Sequence, residues 1–197
     1  MTRRDFDHDR NRAAGPAVVW HGEGPESVLV LDPAGEAKHD ELPGTWRPLS
    51  EHLRIGWYRL PTSHEPPEFT DEPVHLVASG AAALAALDLA EQHGDVVRSV
   101  IVFDPTAPHR DMDTDWWDDE TEPQRRRLAD QDVQVRCFVS RYDDPTMRAR
   151  RPVPLGHPHV VGRLAQLLAS EGTQVAQAWS EAREHIAPAM NRALRSS

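Results

Sequence analysis

The sequence predicts an α/β protein built on one mostly parallel, twisted sheet with helices on both faces. Apolar strand-like runs alternate with helical patterns from about residue 28 onward, which is typical of such sheets. The run 74–78 is apolar at nearly every position, as expected for a strand that is buried on both sides. Several of the predicted strands end in small or acidic residues, at the end of a parallel sheet where ligands bind.

Length and composition favour one folded unit. The chain has 197 residues, of which 39% are hydrophobic, and its formal net charge is −10. This acidity argues against sequence-independent binding to nucleic acid or to anionic membranes. We expect residues 1–15 to form a flexible N-terminal arm and residues 16–197 to form a single domain. The partner is predicted to be a small molecule or another protein, and the sequence does not indicate its identity or the oligomeric state.

Features of several other protein classes are missing from the sequence. Cys137 is the single cysteine, so no intrachain disulfide is expected. No apolar segment follows Arg3 and Arg4, and no window approaches 18 apolar residues, so we expect a cytoplasmic protein without a membrane span. The eleven histidines lack metal-ligand spacing, and both nucleotide-binding glycine motifs are absent, so neither a metal nor a cofactor is expected.

The first half of the chain begins with two short strands, 17–21 and 27–31. A glycine-rich link of only a few residues joins them and predicts an antiparallel pair. Thr45 is a candidate N-cap for a short helix with Trp46, Leu49 and Leu53 on one face. A third strand is predicted over 53–60 and is stopped by Pro61.

The second half alternates strands with helices. The strand 74–78 precedes an alanine-rich helix over 80–93, and Thr121 has the capping-box spacing of a helix start after an irregular segment over 106–120. The remaining predicted elements are strands at 97–103 and 133–140, a helix at 158–170, a short strand at 173–179 and a final helix.

Three segments in this order resemble the α/β-hydrolase fold, in its thioesterase- and esterase-like branch. Residues 28–35 resemble the strand and loop that supply an oxyanion-hole amide, and residues 45–61 resemble the first helix and the next strand. Residues 74–80, followed by 99–105, resemble the nucleophile elbow and the strand after it. The resemblance covers roughly residues 17–195. It implies a hydrolase-like domain with a minimal lid, since only 111–122 stands where many relatives carry a bulky one.

The elbow departs from the family pattern. Family members carry Gly-x-Ser-x-Gly there, because small residues must flank a nucleophile on a strained turn. The register that keeps both flanks small is Ala78-Ser79-Gly80-Ala81-Ala82, which leaves Gly80 at the nucleophile position. This register predicts a degenerate catalytic triad and a pseudoenzyme that acts by binding or regulation. The other register makes Ser79 the nucleophile but puts β-branched Val77 where a small residue is needed.

The resemblance also implies the other members of a triad. An active serine hydrolase, cleaving a carboxylic ester or thioester, would use Ser79 as nucleophile, His185 as base and Asp144 as acid. Asp143 and Asp104 are alternative acids. A third hypothesis keeps only His185 and Asp144, as an acid–base pair that needs no nucleophile. The alternative for these residues is that Asp-Asp-Pro is ordinary turn chemistry and that His185, which has helical spacing, is only a helix residue.

The pocket implied by the resemblance lies over the elbow. Ala34 and Gly35 would supply one side of an oxyanion hole, and Gly80 and Ala81 the other. Trp116 is the candidate for a pocket cover, because two adjacent tryptophans such as Trp116 and Trp117 seldom both face a core. The alternative is that both pack on the edge of the domain.

Overall fold

The described part of the chain is built on a six-stranded sheet in the order β1-β3-β2-β4-β5-β6. The structure is a computed structural model that describes residues 18–32, 42–59, 69, 72–107, 115–140 and 151–170. All neighbouring strands are parallel except β1 and β3, which are antiparallel. The predicted α/β class with a mostly parallel sheet is therefore confirmed. The strands are β1 (Val18–His21), β2 (Ser27–Asp32), β3 (Arg54–Arg59), β4 (Val74–Ser79), β5 (Val97–Phe103) and β6 (Gln134–Phe138).

The pairing of β1 differs from the prediction. β1 pairs with β3 rather than β2, so the expected antiparallel pair of β1 and β2 is wrong. The link between β1 and β2 crosses the backbone that leads into β3, where a Cβ atom on Gly22 would lie 2.1 Å from the carbonyl oxygen of Leu53. A Cβ atom on Gly24 would lie 2.0 Å from the carbonyl oxygen of His52. The two glycines thus permit a crossing that no larger residue allows.

Three α-helices are described: α1 (Ala82–Gln92), α2 (Asp115–Asp130) and α3 (Pro158–Ser170). A short 3-10 helix, Arg47–Glu51, stands where the first helix was predicted. Helix α2 begins six residues before the predicted start at Thr121. The hydroxyl of Thr121 donates to the carbonyl of Trp117, one turn earlier, so Thr121 is an interior residue and not a cap.

Two apolar clusters cover the two faces of the sheet. Helices α1 and α2 pack on one face, against strand residues that include Leu76, Ala78 and Val102. Helix α3 and the 3-10 helix pack on the other, against strand residues that include Val77, Ile101 and Phe103. The alternation of side chains along β4 and β5 divides them between the faces. Helices therefore cover both faces, as the sequence predicted.

The three described α-helices are 11, 16 and 13 residues long. None of them is long and apolar enough to cross a membrane. The predicted arm at 1–15, the final strand and the final helix lie outside the described residues.

Candidate functional site

The turn between β4 and α1 has a conformation that suits glycine. Gly80 has a φ of 56°, in the left-handed region that side chains rarely occupy. Its N–H donates to the carbonyl of Phe103 at 3.1 Å, which continues the pairing of β4 with β5. Its own carbonyl accepts from the N–H groups of Ala83 and Thr106, each at 3.2 Å. The turn is thus fixed on both sides of Gly80 by backbone hydrogen bonds.

The space where Gly80 would carry a side chain is filled by Pro152. A Cβ atom on Gly80 would lie 2.8 Å from Cγ and 3.1 Å from Cβ of Pro152, closer than such atoms pack. The next nearest atom is Oγ1 of Thr106, at 3.6 Å. A side chain at this position therefore meets both backbone strain and a steric clash.

Pro152 belongs to a segment that crosses the carboxyl end of the sheet, which we call the strap (residues 151–157). Within it Val153 and Leu155 are buried in the cluster around α3. The indole Nε1 of Trp46 donates to the carbonyl of Leu155 at 2.9 Å, and Thr45 Oγ1 donates to that of Gly156 at 2.7 Å. The strap therefore runs from the end of β5, past the elbow, to the 3-10 helix.

Ser79 is the last residue of β4 and precedes the strained position. It lies on the same face of β4 as Val77, which packs in the α3 cluster, and its cross-strand partner is Phe103. Ser79 is 5% exposed. Within the described part of the chain its hydroxyl makes no hydrogen bond, so no base is seen there to activate it.

Asp104 follows β5 and stands beside the elbow. Its carboxylate accepts hydrogen bonds from the Ser140 N–H (2.6 Å), the Ser140 hydroxyl (2.8 Å) and the Val153 N–H (3.1 Å). The guanidinium of Arg151 lies 3.8 Å away. Both carboxylate oxygens are thus engaged in holding other segments, which leaves little capacity to orient a catalytic histidine. As an alternative acid, Asp104 is better described as a structural anchor.

The remaining triad and oxyanion candidates are only partly described. His185, Asp143, Asp144, Ala34 and Gly35 lie outside the described residues.

Two residues beside those positions are described. Ala81 is exposed and occupies the N-cap position of α1. Asp32, the residue before the expected oxyanion loop, is fully buried and accepts a hydrogen bond of 2.6 Å from Trp57 Nε1. The site as described therefore consists of Ser79, Gly80 and Ala81, with Asp104 and Pro152 beside them.

The burial of the two adjacent tryptophans differs from the expectation that one of them is exposed to a ligand. Trp116 and Trp117 are each 3% exposed, and their rings meet edge to face with centroids 5.7 Å apart. Both join the cluster around α1 and α2, on the sheet face opposite the strap's buried residues. The expectation that two neighbouring tryptophans do not both face the core is therefore wrong here.

Sequence reasoning missed the strap, although a signal was present. Pro152-Val153-Pro154-Leu155 alternates exposed prolines with buried aliphatic residues, which is the pattern of an extended segment lying on a core. It also missed the backbone of Asp104, whose φ of 45° is rare outside glycine, asparagine and aspartate.

A second polar pair lies inside the sheet, away from the elbow. His75 Nδ1 and Ser99 Oγ are 2.8 Å apart on β4 and β5, and both residues are buried. Burial, with a smaller contribution from the Arg98 charge, lowers the pKa of His75 from 6.5 to about 4. His75 is therefore neutral at pH 7 and binds no proton that catalysis would need.

Cys137 and His157 are two further side chains of types that can carry chemistry. Burial is the main reason why the pKa of the Cys137 thiol is raised to about 11, so the thiolate is scarce at pH 7. His157 Nδ1 accepts from the N–H of His159 at the start of α3. Within the described ranges no three His, Cys, Asp or Glu side chains are grouped to hold a metal ion.

Comparison with known proteins gives only distant structural similarity. No family model and no curated protein matches the chain. A hydrolase from Oleispira antarctica is similar at 14% identity and a TM-score of 0.32, over 45% of this chain and 41% of that one. A haloalkane dehalogenase from Agrobacterium tumefaciens is similar at 23% identity and a TM-score of 0.29, over 45% and 36% respectively.

A candidate lipase from Acinetobacter baumannii is similar at 18% identity and a TM-score of 0.32, over 60% of this chain and 50% of that one. The chain thus spans half or less of the length of each of these proteins. All three are described as hydrolases or hydrolytic enzymes, and at these TM-scores they assign neither a family nor an activity to this chain.

Proposed function

We propose that this chain is an α/β-hydrolase-like protein without hydrolase activity, and that it acts by binding or regulation. In this proposal Gly80 occupies the position of the elbow nucleophile. The observation that carries it is the residue at the turn, because Gly80 has the strained backbone on which an elbow nucleophile stands, with a φ of 56°, but carries no hydroxyl or thiol. A nucleophile needs both a hydroxyl or thiol group and space for the substrate in front of it.

The geometry of Ser79 supports the same proposal. A nucleophile at an elbow stands on the strained residue, exposed at the top of the sheet. Ser79 instead belongs to β4 itself, is nearly buried, and has no positive φ. The Asp104 carboxylate beside the elbow also supports the proposal, because it already accepts hydrogen bonds from Ser140 and Val153 and is not free to orient a catalytic base.

A fluorophosphonate probe, which labels activated serines, tests this proposal on the full chain. We expect no labelling and no hydrolysis of p-nitrophenyl acetate above the rate of Ser79→Ala, under conditions in which a known serine hydrolase is labelled. Ser50→Ala is the matched control, since Ser50 lies in the 3-10 helix and its hydroxyl donates only to Arg47. Labelling that persists in Ser50→Ala and disappears in Ser79→Ala would overturn the proposal and establish Ser79 as the nucleophile.

A further inference from the structure

The residue of the strap that contacts the elbow, Pro152, is exposed to solvent. Pro152 is exposed to solvent on one side while its ring contacts Gly80 on the other. The neighbouring Val153 is buried in the α3 cluster. The part of the strap over the elbow is therefore a surface layer, attached to the core by one aliphatic side chain.

The Asp104 carboxylate binds two residues of this part of the strap. Its Oδ2 accepts the Val153 N–H at 3.1 Å, and its Oδ1 lies 3.8 Å from Nε of Arg151. The same carboxylate holds Ser140 at the end of β6. Hydrogen bonds to a buried carboxylate are stronger than those between neutral groups, so the Asp104 side chain is a strong attachment for residues 151–153.

The far half of the strap is held independently of Asp104. Trp46 Nε1 and Thr45 Oγ1 bind the carbonyls of Leu155 and Gly156, and α3 begins directly after His157. Loss of the Asp104 contacts would therefore weaken the attachment of residues 151–153 more than that of residues 155–157. Different side chains therefore bind the two halves of the strap, Asp104 at one end and Thr45 and Trp46 at the other.

We propose that residues 151–153 form an internal closure over the elbow and that Asp104 is its latch. In the closed form Pro152 occupies the place next to Gly80 that a ligand of the elbow would take. In the open form this segment leaves, and Gly80 and the Ser79 hydroxyl become accessible. Burial of Val153 adds to the latch, so the closed form predominates. The proposal goes beyond the proposed function and holds whether or not Ser79 is reactive.

Amide hydrogen exchange of Asp104→Asn tests the latch. Asparagine tolerates the positive φ of this position but presents an amide N–H₂ where one carboxylate oxygen accepted. We expect exchange of the Val153 amide to become about tenfold faster or more, as for the loss of a hydrogen bond to a charged group. Amides of β4 and β5, such as those of Leu76 and Val100, should change by less than about twofold. Gln124→Ala, which removes hydrogen bonds between α1 and α2, is the control that should leave Val153 unchanged.

Two results would overturn the latch. One is unchanged exchange at Val153, and the other is equal acceleration of Val153, Leu76 and Val100, which indicates a general loss of stability. If Asp104→Asn does not fold, Val153→Ala replaces it, because it removes most of the aliphatic attachment of residues 151–153 and keeps the Asp104 carboxylate. The protection factor of the amide at position 153 should then fall by about threefold or more while those of Leu76 and Val100 change by less than about twofold, and absence of this selective effect overturns the closure.

The fluorophosphonate probe, applied to Asp104→Asn, separates this proposal from the proposed function. Selectively faster exchange of the Val153 amide without labelling of Ser79 supports both the closure and the proposed function. Selective exchange together with labelling of Ser79 supports the closure and overturns the view that the elbow is inactive. Labelling without selective exchange overturns both.

Discussion

β4 and β5 carry two buried polar sites of opposite character. Near the amino ends of the strands, His75 and Ser99 form a neutral pair between regular strand residues. At the carboxyl ends, Gly80 and Asp104 have positive φ angles, and the Asp104 carboxylate holds segments from two other parts of the chain.

The difference separates two ways of burying a polar group. The first pair is satisfied by a neighbour on the adjacent strand, so it needs only the sheet. The second depends on loops that reach the same place from distant positions in sequence, such as Ser140 and Val153. The residues with positive φ angles lie at the second site, which is also the end of the sheet where α/β proteins bind ligands.

The largest effect is expected from adding a methyl group at the elbow. Gly80→Ala should lower the free energy of unfolding by about 4 kcal/mol, combining left-handed strain of about 1–3 kcal/mol with overpacking against Pro152 of about 1–3 kcal/mol. Urea denaturation of the variant and of the unmodified protein measures this difference.

Two further variants establish that the effect comes from the elbow. Gly94→Ala should cost less, since its Cβ would meet mainly the side-chain oxygen of Gln131, which can move, and its φ is not positive. Pro152→Ala should recover the overpacking part of the Gly80→Ala loss. A Gly80→Ala variant as stable as the unmodified protein would show that Pro152 does not close the elbow.

The regular parts of the fold were predictable because they depend on local pattern. The apolar run of β4, the alanine-rich α1 and the small residues around Gly80 all follow from spacing within a few residues. Gly80 follows this apolar run directly, and its φ of 56° is the left-handed conformation that glycine adopts readily.

The features of the structure that were predicted wrongly or missed depend on contacts between segments that are distant in the sequence. The partner of β1 is set by a crossing near Leu53, about thirty residues later in the chain. The strap reaches Asp104 across 49 residues and Trp46 across 109, distances that no local pattern can report. Helix α2 starts early because Trp116 and Trp117 gain burial, which overrides the capping signal at Thr121.

The neutral pair predicts a dependence of stability on pH. The pKa of His75 is about 4 in the folded protein and 6.5 in its ordinary state, so the unfolded chain takes up a proton first as the pH falls. This contribution of about 3 kcal/mol is fully present above pH 6.5 and is lost progressively between pH 6.5 and pH 4.

Comparison with His75→Gln isolates that contribution, because glutamine does not titrate and its amide group can still form a hydrogen bond with Ser99 in either direction. Urea denaturation at pH 7, about 5.5 and about 4.5 should give a steeper loss for the unmodified protein, by up to about 1.4 kcal/mol per pH unit. Parallel curves for the two proteins would mean that His75 titrates normally and that the pair is not buried as described.

The smallest effect is expected at the end of the strap farthest from the elbow. Thr45→Val keeps the shape of the side chain and removes the hydrogen bond of 2.7 Å to the carbonyl of Gly156. We expect a loss of about 1 kcal/mol in the free energy of unfolding, as for a neutral, partly buried hydrogen bond. If the two halves of the strap are fastened separately, exchange of the Val153 amide should follow only this small global change. Selective acceleration of Val153 in Thr45→Val would instead show that the strap opens as one unit, with Asp104 and Thr45 as its two ends.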